Sequence, residues 1–138
     1  MNLKGEKLLR TTLKANATFS TITCLLIIFF DEQIQSLMNV NGSLVPIAIS
    51  LVPFAVLVFY VATRPDINRT LVKAIISMDV LWVIGSIILL VSDNGMTVLG
   101  NWIVGIVAIF VFDFAFFQYR GLKGMISETK TSEQLEAA

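Results

Sequence analysis

Apolar positions along this chain fall into four long runs separated by short polar breaks. A helix that crosses the hydrocarbon core of a bilayer needs about 20 mainly apolar residues. Segments about 12–30, 43–63, 71–92 and 98–119 meet that length. The first is the least uniform, because "TTLKANATFSTIT" precedes "CLLIIFF". The fourth carries Phe110, Phe112, Phe114, Phe116 and Phe117, an alternation that resembles a strand. A lone strand cannot satisfy its backbone in lipid, so the helical reading prevails, and the rings are expected to face lipid.

The breaks are "DEQIQSLMNVNG", "TRPDINR" and "SDNGM". Connections this short place consecutive helices side by side and in opposite directions. The expected fold is an all-α membrane protein, an antiparallel bundle of four transmembrane helices within a single domain over 1–120. The polar stretch 121–138, "GLKGMISETKTSEQLEAA", is expected to be a frayed or weakly helical cytoplasmic tail. Pro53 removes a backbone donor in mid-helix and is expected to bend helix two there, whereas Pro46 falls in a first turn, where proline is tolerated.

Composition agrees with the runs. Hydrophobic residues make up 56% of the chain and charged residues 14%, too apolar a balance for an ordinary soluble domain. Formal net charge is zero, with ten basic and ten acidic residues, but the basic ones are unevenly placed. Lys4, Lys7, Arg10 and Lys14 precede or open helix one, Arg64, Arg69 and Lys73 surround the second break, and Arg120, Lys123 and Lys130 follow helix four. The first and third breaks contain no Lys or Arg and carry Asp31, Glu32 and Asp93. By the positive-inside rule, both termini are expected in the cytoplasm. Small size and short loops suggest a bacterial cytoplasmic (inner) membrane. No small-x-small cleavage site follows the basic N-terminus, so the first run reads as a retained helix rather than a signal peptide. Lys7, Arg10 and Lys14 also share a helical face, which suits either an interfacial helix on anionic headgroups or simply the start of helix one.

Polar residues inside such helices are expected to face the bundle interior, where they find partners. Each run offers a stripe at helical spacing: Thr12, Asn16, Ser20 and Thr23; Pro46, Ser50, Pro53 and Tyr60; Asp79, Trp82 and Ser86; Trp102, Asp113 and Arg120. Four stripes on four helices suggest one shared interior. Asp79 lies nine residues after Thr70, roughly 13 Å deep, and Asp113 lies seven before Arg120, roughly 10 Å from the same surface. A charged Asp in mid-membrane costs about 2.5–3.5 kcal/mol on insertion scales, so each acid calls for a partner. Arg120 is expected to serve Asp113. Asn16, Ser20 and Tyr60 are the nearest choices for Asp79, and Trp82 stands one turn away on its face. Three readings stay open for this set: hydrogen-bonded glue between helices, a ligand, cation or proton site, or one acid that simply reaches the aqueous surface through a thinner bundle.

The chain has no histidine and one cysteine, Cys24, which sits in an apolar run and reads as packing. It holds no P-loop, dinucleotide fingerprint or nucleophile elbow. The expectation is therefore no catalytic set, no metal site, no cofactor and no nucleic-acid partner. What remains is a non-enzymatic, membrane-embedded binding or accessory subunit. Its expected partners are the lipid bilayer and a second copy or a larger membrane complex. The alternative is a small transporter or channel that uses Asp79 and Asp113 as proton or cation sites.

Overall fold

The computed structural model describes residues 4–138 and is helical, with no strand among the described residues. Helix α1 spans Lys4–Met38, α2 Val45–Thr63, α3 Arg69–Val91 and α4 Val98–Ala137. All four are long and apolar enough to cross a membrane.

The middle helices end close to where hydropathy ends, but the outer two run far beyond it. α1 continues through "DEQIQSLM", a stretch expected to be a connection, after a kink at Phe30 (φ −125°, ψ 26°). α4 continues 18 residues past Tyr119, through the tail expected to fray. Loss of hydropathy marks where a helix leaves lipid, not where it stops. Glu, Gln, Leu, Met and Lys are all good helix formers, and both extensions are rich in them. At the amino end the structure adds Lys4–Thr11 to α1, while residues 1–3 of the basic segment lie outside the described residues.

The true ends carry recognisable caps. The Asn68 side chain accepts from the backbone N–H of Thr70 (3.0 Å) and Leu71 (3.2 Å) at the start of α3. Thr97 Oγ1 accepts from Gly100 N–H (2.9 Å) at the start of α4. α1 ends at Asn39, which adopts φ 56°, while the Val40 N–H reaches back to the Gln35 carbonyl. Asp31 then anchors the turn into α2 by accepting from Ser43 Oγ (2.6 Å) and Leu44 N–H (2.8 Å). α2 stays helical through Pro53.

α1 packs against both α2 and α4, and α3 packs against α4, while α2 and α3 barely meet. The start of α1 lies on the end of α4. A Cβ on Gly121 would stand 2.8 Å from the Leu9 nitrogen, and one on Gly5 would collide with the backbone of Gly124 and Met125. Only glycine permits so close an approach of two helices. The end of α1 likewise lies on the start of α4, where a Cβ on Gly100 would come within 3.1 Å of Met38. Between these points, Phe19 packs on Phe110 and Phe114 with ring centroids 5.6 and 5.5 Å apart.

The main core gathers Leu9, Leu13, Val58, Val61, Val72 and Ile75, with Leu122 and Met125 from the helical tail. Outward faces are apolar: Phe110, Phe112, Phe116, Phe117, Leu81 and Ile88 are all exposed. The polar stripe of α2 departs from expectation, because Pro46, Ser50, Pro53 and Tyr60 are exposed. Ala48, Ala55, Val58, Val61 and Ala62 take its buried face instead. Small side chains let α1 approach closely, and the Ser50 hydroxyl is already satisfied within its own helix by the Ile47 carbonyl (2.7 Å).

Candidate functional site

Three helices deliver polar side chains to one buried layer. Asn16 and Ser20 stand one turn apart on α1, Asp79 comes from α3 and Gln118 from α4. The Asn16 amide donates to Asp79 Oδ2 at 2.8 Å. Ser20 Oγ lies 3.4 Å from Asn16 Oδ1, a long and weak donor contact. Relative exposures are 1% for Asn16, 3% for Asp79 and 0% for Gln118. Gln118 lies beside the Asp79 carboxyl, yet neither its amide nitrogen nor its amide oxygen makes a hydrogen bond.

The Asn16–Asp79 bond links α1 to α3. The backbones of α1 and α3 do not approach one another, so these two side chains reach across the gap to meet. A hydrogen bond between membrane helices contributes on average about 0.6 kcal/mol. Removing one partner costs more, about 1–3 kcal/mol, since the other is left unsatisfied away from water. No ion pair reaches Asp79 among the described residues, where the one salt bridge is Arg10–Glu6 at 2.8 Å. The layer thus offers a carboxyl with one amide donor and a second amide with both ends unused. Such a group can tie helices, hold a proton or take up a small polar or cationic species.

The other residues singled out from sequence lie elsewhere. Asp113 is exposed on α4 and makes no described hydrogen bond or ion pair. Its expected tie to Arg120 does not form. Seven residues are two full turns, about 10.5 Å along the axis, and the Arg120 guanidinium rests 5.8 Å from the Phe116 ring one turn back. Tyr60 is exposed under the Arg64 guanidinium, 4.3 Å from its ring centroid, and does not approach Asp79. Trp82 is 38% exposed, and its carbonyl accepts from the Ser86 hydroxyl at 2.9 Å. The structure therefore brings together Asn16, Ser20 and Asp79, and leaves Asp113, Arg120, Tyr60 and Trp82 outside that layer.

Gln118 was missed because it stands beside Tyr119 and Arg120, where the apolar run ends. A usable signal exists. Val111, Ala115, Gln118, Leu122 and Met125 are all buried and recur every three or four residues, which marks one helix face.

Surface pockets lie apart from this layer. One, of about 370 Å³, lies between the facing ends of α2 and α3 and includes Tyr60, Arg64, Asp66 and Asn68. Another, of about 300 Å³, lies on α4 and includes Trp102, Gly105, Ile106 and Ile109. Neither is lined by a residue of the buried layer. Comparison with known proteins finds no matching family model, no matching curated protein and no matching solved structure.

Proposed function

We propose that this chain is a small polytopic membrane protein acting as a non-enzymatic binding or accessory subunit, an antiparallel bundle with both termini in the cytoplasm of a bacterium. The observation that carries the role is the direction of the polar groups. Asn16, Ser20, Asp79 and Gln118 turn inward, and the Asn16–Asp79 bond serves as an internal tie. The outer faces are left apolar, suited to lipid or to a partner's helices, with Gly105 in the groove beside Trp102 allowing close helix approach. The placement of both termini rests on the charge split, and the antiparallel order on the two glycine contacts that join opposite ends of α1 and α4.

A photo-crosslinking residue at Ile106 in native membranes tests the role. A discrete adduct, either with a second copy or with one other membrane protein, is the expected result. Lipid adducts alone would remove the support for a subunit. Sidedness is tested with single cysteines at Asn68 and Asn41 in a Cys24→Ser background. An impermeant external reagent should label position 41 and spare position 68 in intact cells.

A second reading, a small proton- or cation-coupled transporter, is favoured by the unused Gln118 amide beside a carboxyl that has no cationic partner. Proteoliposomes separate the two. Dissipation of a pH or cation gradient by the wild type, lost in Asp79→Asn, would replace the subunit role with transport.

A further inference from the structure

The pocket between the ends of α2 and α3 is built from opposite charges that do not pair with each other. Arg64 and Asp66 both line it, separated in sequence by Pro65, and neither takes part in a salt bridge. Val61 and Leu71 supply its apolar wall, and Tyr60 and Asn68 its polar rim. Its volume of about 370 Å³ falls within the range of small-ligand sites, about 300–1,000 Å³.

Its frame is held in place. The Arg10 guanidinium, on α1, donates to the backbone carbonyls of Ala62 (3.0 Å), Arg64 and Pro65 (2.7 Å). A cation on the last carbonyls of α2 satisfies acceptors the helix leaves open and suits its dipole. The Glu6 carboxylate holds Arg10 in turn, at 2.8 Å. On the other side, Asn68 caps α3. The Arg64 guanidinium sits over the Tyr60 ring rather than moving free. A site held this way loses little ordering entropy when something binds.

We propose that this pocket seats the headgroup of a zwitterionic aminophospholipid, with the phosphate on Arg64 and the primary ammonium on Asp66. The proposal rests on the membrane reading, which puts the end of α2 and the start of α3 at headgroup depth. One guanidinium and one carboxylate balance, so the pocket complements a zwitterion better than a purely anionic headgroup. A primary ammonium donates N–H to a carboxylate, and a trimethylated one cannot. Beyond the pocket, α2 and α3 expose apolar side chains, among them Val56, Phe59, Leu81 and Ile84, that suit acyl chains.

Native mass spectrometry of the full chain in detergent, titrated with phosphatidylethanolamine, phosphatidylcholine and phosphatidylglycerol of the same acyl composition, tests this. One retained phosphatidylethanolamine is expected, favoured about three- to tenfold over phosphatidylcholine, the scale of one partly exposed charge-assisted hydrogen bond. Asp66→Asn should remove that preference and keep phosphate-dependent binding. Arg64→Gln should weaken all three lipids. Lys123→Gln, exposed on α4 and outside the pocket, should change nothing. Circular dichroism melting of each variant confirms that it is folded. Equal retention of phosphatidylethanolamine and phosphatidylcholine, tighter phosphatidylglycerol binding, or a preference that survives Asp66→Asn would each overturn the proposal. Failure of the membrane reading itself would appear separately, as protein that does not float with liposomes.

Discussion

The α1–α4 interface and the α2–α3 interface make opposite use of the same apolar alphabet. α1 and α4 touch at both ends and in the middle, through Gly5, Gly121 and Gly124, through Phe19, and through Met38 under Gly100. α2 and α3 follow one another in the chain across a loop of five residues, yet their backbones seldom approach, and they share only the side-chain core of Val58, Val61, Val72 and Ile75. Chain proximity alone therefore does not decide how closely two helices approach, although α1–α2 and α3–α4 are both neighbours in the chain and packed. Without a hydrophobic force to drive helices together in lipid, close packing of small residues does, and glycines stand where α1 meets α4. Gly85, by contrast, faces open space on α3. The polar link from α1 to α3 is the bond from Asn16 to Asp79, beside the apolar core that Val72 and Ile75 of α3 share with α1 and α2.

The most damaging single change should fall on the tight interface. In Gly121→Ala the new methyl meets the Leu9 nitrogen and Cβ and the Gly5 carbonyl oxygen, none of which can rotate away. Unfolding in detergent should show a loss of about 2–3 kcal/mol. Gly85→Ala, which meets nothing, should be neutral or gain up to about 1 kcal/mol from helix propensity. Equal effects of the two substitutions would mean that α1 and α4 do not approach as described.

Next in size comes the polar tie. Asp79→Leu strands the buried Asn16 amide and should cost about 1–3 kcal/mol. Asp79→Asn keeps an acceptor for that amide, and its cost should be clearly smaller. The double variant Asn16→Leu/Asp79→Leu should recover part of the loss, because no orphan donor is left. Additive losses in that cycle would show that the two side chains act independently.

Arg10→Ala probes the open side. It removes the donors to the carbonyls of Ala62, Arg64 and Pro65, a loss of about 1–2 kcal/mol. Hydrogen exchange should speed up at the end of α2 and in the α2–α3 loop, while amides near Gly121 stay protected. Uniform exchange along the whole chain would mean that the two interfaces are not separate units.

The smallest effect is expected at Asp113. Exposed and unpaired, it should tolerate Asn within about 0.5 kcal/mol. A large loss there would imply a partner that the isolated chain does not contain.

Hydropathy alone determined that this chain forms four helices of membrane-spanning length, because runs of about 20 apolar residues have few other solutions in lipid. It located α2 and α3 to within two residues at each end, since both stop where the apolar run stops. It located the start of α4 at Val98 but not its carboxyl end or either end of α1, where the helix continues past the apolar run. Spacing was enough to place Asn16, Ser20 and Asp79 on inward faces, as polar residues in otherwise apolar helices. The partners of those residues were decided by tertiary structure. Asp113 looks like Asp79 in sequence and ends up on the outside, because α4 turns its small and medium residues, Ala108, Val111, Ala115 and Gln118, toward its neighbours. Tyr60 sits outside for the same reason, with alanines and valines taking the buried face of α2. Gln118 enters the polar layer on the face of α4 that, one turn on at Gly121, lies tightly against α1. Periodicity states which residues share a face. Which face turns inward depends on how closely two helices can approach, and that is a property of the pair, carried by neither helix alone.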